Sequence, residues 1–201
     1  MKKIVVDILL FILMLVEYSR VYLPSEIHEI IGICLTILVL IHLILNRNYF
    51  KAIPKGKYSF KRSFMLVGNV LFIIAFSATC ITGLLSSQDI LTFMNIGNLT
   101  TVYLHKIFAY ASIIVLGMHL GANLTKLFNK FENNLIYIGI IILGVYSLIA
   151  VDFWNHLTGN YGFSIVTGNI AINTLEYLFI ILMFSVITHL ILNFFKNRKN
   201  N

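Results

Sequence analysis

Charge is scarce in this sequence: Asp, Glu, Lys and Arg make up 11% of its 201 residues, against roughly 25% in an average soluble domain. That shortage excludes an ordinary soluble protein. With 59% of the residues apolar and a mean hydropathy of +0.89, one buried core leaves too little polar surface to cover the outside, so most of the outer surface faces lipid. Cysteine is nearly absent. Cys34 and Cys80 both fall within apolar runs, where a thiol behaves as a small hydrophobe rather than as half of a disulfide. There is no Gly-rich phosphate loop, no Ser/His/Asp constellation and no Cys-x-x-Cys motif. No stretch is long enough for a separate soluble catalytic module, so any such module is expected to be a partner protein. Acidic residues are the scarcer sign, eight against fifteen basic, for a net charge of +7. The basic residues nevertheless form short clusters beside apolar runs rather than a patch with interleaved aromatics, which excludes nucleic acid as a partner.

What is present is a series of long apolar runs, at about 4–22, 27–46, 63–86, 101–123, 135–152 and 170–195. Each is long enough to cross a bilayer as a helix, and together they predict an all-α, polytopic membrane bundle of six transmembrane helices. The first run follows Met1-Lys2-Lys3 but carries Asp7, Glu17 and Arg20 and lacks an Ala-x-Ala cleavage site, so it reads as a retained span rather than a signal peptide. The two prolines punctuate: Pro24-Ser25-Glu26 makes a turn with Ser25 as an N-cap for the second helix, and Pro54-Lys55-Gly56 interrupts a basic loop. With the N-terminus inside, 13 of the 15 basic residues fall on the cytoplasmic side, while loops 87–100 and 153–169 contain none. This obeys the positive-inside rule and places both termini in the cytoplasm, across the cytoplasmic membrane.

Four of the six histidines form two pairs with one interval: His28 and His42 in the second run, His105 and His119 in the fourth, each 14 residues apart. Fourteen steps fall about 40° short of four full helical turns, so both members of a pair lie on nearly one face, about 21 Å apart along the axis. The second and fourth spans run in the same direction, so His28 matches His105 in depth and His42 matches His119. Two helices facing each other with histidines at two levels suit two stacked hemes, each iron taking one imidazole from either helix. The expected pairs are His28 with His105 and His42 with His119. Small residues near the ligands leave room for a flat group: Gly32 one turn after His28, Ala109 one turn after His105, and Gly117 and Gly121 around His119. Gly-x-x-x-Gly spacing equally serves plain helix packing. A non-heme metal site asks for carboxylates or thiolates within a turn or two of the histidines, and only Glu26 and Glu29, beside the outer pair, meet that within their own helix.

Ile-His-Glu-Ile-Ile-Gly and Ile-His-Leu-Ile-Leu-Asn within 27–46, Ile81-Thr82-Gly83-Leu84-Leu85-Ser86, Leu104-His105-Lys106 and Gly117-Met118-His119-Leu120-Gly121 resemble a bacterial membrane family, the flavinylation-associated cytochromes. The resemblance covers roughly residues 5–125. It implies two non-covalent b hemes on His28, His42, His105 and His119, and electron transfer across the membrane to an extracytoplasmic flavin-bearing partner. It also implies a four-span diheme core over 1–125, with two additional spans over 126–201. The chain departs from the family pattern at Thr101-Val102-Tyr103 and at Ala122-Asn123, where relatives carry an aromatic residue and a further histidine. The donor is expected to be a quinol or a cytoplasmic reductase, and the chain an electron-transfer component rather than a stand-alone enzyme.

Lys106 and Arg20 lie near the outer level, where either pairs with a heme propionate or snorkels to the interface. Glu17 and Arg20 stand three residues apart and can neutralise each other. Asp7 and Glu176 read as helix-to-helix hydrogen-bonding groups. His189 repeats the pentapeptide of 42–46 and offers a substitute inner ligand, while His156, with Trp154 and Tyr161, reads as part of an interfacial aromatic anchor. Two competing readings remain at this stage: a histidine-lined metal-ion or proton transporter, and a cofactor-free assembly subunit.

Overall fold

The computed structural model describes residues 3–131, 133–160 and 168–198; Lys2, Tyr161 and Lys199 lie outside the described residues. Among these the chain is all-helical. The helices are α1 Lys3–Tyr18, α2 Ser25–Leu45, α3 Arg47–Ala52, α4 Phe60–Leu85, α5 Leu99–Asn123, α6 Thr125–Lys130, α7 Asn134–Ala150, α8 Phe153–Thr158 and α9 Ile170–Asn197.

Four of them, α2, α4, α5 and α9, are long and apolar enough to cross a membrane. The chain is thus a multi-pass membrane protein with four candidate spans, and the expectation of six is corrected. The first run stops at Tyr18, because Ser19 leads into a 3-10 turn over Arg20–Tyr22. Sixteen residues rise only about 24 Å, short of the ~30 Å hydrocarbon thickness. The fifth run is cut to the 17 residues of α7, opened by the Asn133 cap and closed by Asp152 in the left-handed region at φ 50°. Hydropathy alone sees neither stop. Ser25 lies inside α2, and Pro24 occupies the capping position. The other long helices do start on side-chain caps: Ser59 for α4, Asn98 with a reciprocal Thr101 bond for α5, and Asn169 for α9.

The core lies where α1, α5 and α9 meet. Val6, Leu10, Ile113, Leu116, Ile180 and Ile181 are buried together there. Helix α9 runs parallel to α5, with Tyr177 beside Tyr110 and Ser185 beside Gly121. Gly117 and Gly121 make that approach possible: a Cβ on Gly117 would stand 2.9 Å from the Ile181 carbonyl, and one on Gly121 2.9 Å from Thr188 Cβ. Helix α7 runs antiparallel on the other side of α9, where Gly144 receives Met183. Because α9 packs on both α1 and α5, residues 126–201 share one core with residues 1–125. Helix α2 stands at the edge of this bundle, packed along α1 and lightly against α4. Leu35 is its one buried side chain, so its remaining side chains are lipid-facing or only partly covered by its neighbours.

Candidate functional site

Each of the four matched histidines has an oxygen from another helix at its Nδ1, as a hydrogen bond for His42, His105 and His119 and as a close ion-pair contact for His28. On α2, His42 Nδ1 lies 2.7 Å from Asp7 Oδ1 of α1, and His28 Nδ1 contacts Glu17 Oε2, also of α1. On α5, His105 Nδ1 lies 2.9 Å from the Thr79 carbonyl and His119 Nδ1 2.9 Å from Asn69 Oδ1, both of α4. A carboxylate or a backbone carbonyl can only accept, so at His42 and His105 the proton belongs on Nδ1 and the lone pair on Nε2. That tautomer is the one metal-binding imidazoles adopt when an outer-shell oxygen orients them. Helix α1 reaches both levels, Asp7 meeting one end of α2 and Glu17 the other, so the two run antiparallel over the whole interval between the histidines.

At the first level His28 and His105 face each other with ring centres 6.0 Å apart and planes at 88°. Two imidazoles holding one metal from opposite sides, each through a nitrogen about 2.0–2.1 Å away, have ring centres about 6.4 Å apart, and the observed spacing is close to that. At the second level His42 and His119 lie within electrostatic range of each other, with Phe72 5.8 Å from the His119 ring centre. Among the described residues no group of three or more His, Cys, Asp or Glu side chains stands ready to hold a metal ion. Two imidazoles per level suit a metal that brings its own remaining ligands, as the iron of heme does, better than a bare ion.

Gly83 has a specific part in this arrangement. A Cβ there would sit 3.0 Å from His105 Cε1 and 3.2 Å from Nδ1, so its absence lets the imidazole reach the Thr79 carbonyl on the same helix. At Gly32 an added Cβ would meet nothing within 4 Å, which leaves the side of α2 one turn after His28 open. Gly117 and Gly121 do not flank the site. They lie about 200° around the helix from His119 and face α9, the packing role their spacing also allowed.

No family model, curated protein or solved structure matches the chain. Glu29, a possible metal ligand by sequence, is turned away: its carboxylate accepts from Ser87 Oγ at 2.6 Å and from the backbone N–H groups of Gln88 at 2.7 Å and Ile90 at 2.8 Å. This latch ties the end of α2 that carries His28 to the loop after α4. Glu17 goes to His28 and Arg20 Nη1 to the Leu23 carbonyl at 2.9 Å, so the two do not neutralise each other. Arg20 and the exposed Lys106 both lie within electrostatic range of His105. Glu176 bonds within its own helix, accepting from Asn173 at 3.1 Å, whereas Asp7 does bridge two helices.

His189 and His156 stand apart from the two levels. His189 is fully buried, its Nε2 3.0 Å from Asn193 and its ring 5.2 Å from Phe128. His156 stacks on Tyr110 at 4.7 Å. Burial pushes its pKa below the ordinary histidine value, with the charge of Lys106 acting in the same direction and Asp152 against it. Sequence reasoning missed Asn69, Thr79 and the pairing of Asp7 and Glu17 with histidines. A polar side chain in mid-span, as at Asn69, is the one signal that could have found any of them.

Proposed function

We propose that this chain is a transmembrane b-type diheme cytochrome that carries electrons across the cytoplasmic membrane. One heme is assigned to His28 and His105, the second to His42 and His119. The observation that supports this best is the shared setting of the four imidazoles, each with an oxygen of α1 or α4 at its Nδ1. Heme supplies one-electron redox chemistry at both levels. The chain's own residues do the placing. Helices α2 and α5 present the imidazoles, while Asp7, Glu17, Asn69 and Thr79 fix their tautomer and raise their basicity. Arg20 and Lys106 offer positive charge to carboxylates at the His28–His105 level. Attachment is non-covalent, as the sequence lacks the Cys-x-x-Cys-His motif of c-type hemes.

On this reading α1, α2, α4 and α5 form a cytochrome b-like four-helix core, the shorter α1 and α7 carry the chain back across the bilayer beside the four long helices, and both termini and the His42–His119 level face the cytoplasm. The resemblance to flavinylation-associated cytochromes supports a quinol or cytoplasmic reductase as donor and an extracytoplasmic flavin-bearing protein as acceptor. The proton-transport reading draws on one observation, the carboxylates of Asp7 and Glu17 beside His42 and His28.

The experiment uses sealed vesicles that contain the purified protein and enclose ferricyanide and a pH dye, with dithionite added outside. Ferricyanide is expected to bleach far faster than in protein-free vesicles, and His119→Ala is expected to return the rate to the protein-free level. Bleaching no faster than in empty vesicles contradicts the proposal. A protein-dependent proton flux without bleaching would put the transport reading in its place.

A further inference from the structure

The segment between α2 and α4 builds a second site, unrelated to the histidines. It is the most basic part of the chain, with Arg47, Lys51, Lys55, Lys57, Lys61 and Arg62 and no acidic residue across 47–62. Like charges this close ought to splay the loop open, yet it is folded tightly around Arg62. The guanidinium stacks on the Tyr58 ring at 4.2 Å and donates to the carbonyls of Ala52 at 2.6 Å, Ile53 at 3.2 Å and Lys57 at 3.2 Å. Tyr58 Oη closes the other side by donating to the Ile53 carbonyl at 2.5 Å. Gly56, at φ 75°, makes the turn that only glycine takes readily.

This fold leaves an open pocket of about 280 Å³, lined among others by Tyr49, Ile53, Lys55, Tyr58, Arg62 and Leu66. Its lining is divided by chemistry. Lys55 and Arg62 supply positive charge, the two tyrosines supply rings and hydroxyls, and Ile53 and Leu66 supply an apolar side. Arg62 has five N–H donors, of which three are bonded to carbonyls as above, so two remain for an anion. The pocket lies where α4 begins, and the helix continues from it into the exposed apolar side chains Val67, Val70 and Leu71. A ligand here has its charged part at the membrane surface and its apolar part along lipid-facing helix.

We propose that this pocket binds the phosphate of an anionic phospholipid, with the headgroup between Lys55 and Arg62 and the glycerol and upper chain against Ile53 and Leu66. The Lys55 ammonium and the remaining N–H donors of Arg62 favour an anionic headgroup over a neutral or zwitterionic surface. The amphiphilic lining favours a lipid over a free phosphate.

The test titrates the purified full chain in detergent with phosphatidylglycerol, phosphatidylcholine of the same chain length, or inorganic phosphate, and counts bound lipid by native mass spectrometry. One phosphatidylglycerol per chain is expected to bind saturably and phosphatidylcholine not to. Lys55→Gln, an exposed change that the fold tolerates, is expected to weaken phosphatidylglycerol at least about fivefold. Lys57→Gln removes the same charge from the same loop outside the pocket, and is expected to weaken it less than about twofold. Equal losses in the two variants would show diffuse attraction and overturn the proposal. Displacement of the lipid by millimolar inorganic phosphate would assign the pocket to a soluble phosphate compound and overturn it as well.

Discussion

Replacing His42 with Ala is expected to lower the heme content from about two per chain to about one, with loss of the His42–His119 center and retention of the other. His119 keeps its Asn69 bond at 2.9 Å but has no second imidazole opposite. The His28–His105 level depends on Glu17, Thr79 and Gly83, none of which touches His42. Retained heme at that level also reports that the variant is folded. The measurement is the pyridine hemochrome content together with the reduced-minus-oxidised spectrum of variant and parent. Equal loss of both hemes contradicts the pairing across α2 and α5, and an unchanged spectrum contradicts ligation by His42.

Glu29→Ala is expected to act on the opposite level without touching a ligand. Helix α2 has one buried side chain, Leu35, and a side-chain hydrogen bond to α4 in mid-span, Thr36 Oγ1 to Cys80 Sγ at 3.3 Å. Its His28 end is held to α1 by Glu17 and to the loop after α4 by the Glu29 carboxylate, which gathers Ser87 Oγ and the amides of Gln88, Asp89 and Ile90. Hydrogen bonds to a charged group contribute about 1.5–3 kcal/mol each when well buried. For this half-buried latch a total loss of roughly 1–3 kcal/mol is the expected scale. The consequence is local. Amide exchange at 88–90 rises, and heme is lost from the His28–His105 level ahead of the His42–His119 level. Glu29→Gln, which keeps one acceptor oxygen, falls between. Unchanged exchange together with unchanged heme at the His28–His105 level would show that α2 is held there by something else.

How far the sequence carried depends on whether a feature is local to one helix. The 14-residue interval fixes the face shared by His28 and His42, and by His105 and His119, because helical periodicity is a property of the chain alone. The opposition of His28 and His105 follows once two helices of the same direction stand side by side. The partners that hold the imidazoles were not legible: Asp7, Glu17 and Asn69 come from other helices, and the Thr79 oxygen is a backbone atom that any residue would carry. Gly83 had a place in a motif but no reason, and the reason is the His105 ring lying against it. Gly117 and Gly121 were visible as small residues, yet which neighbor they faced depended on α9, about 60 residues later in sequence. The number of spans was overcounted because hydropathy registers composition and not the turn at Ser19 or the left-handed Asp152.

The central claim is that two hemes occupy the two histidine levels, and the most direct measurement is heme per chain. The protein, expressed with adequate heme supply and purified folded, is reduced with dithionite, and its difference spectrum and pyridine hemochrome are recorded. The account predicts a b-type spectrum and about two hemes per chain. Folded protein with no heme would contradict it.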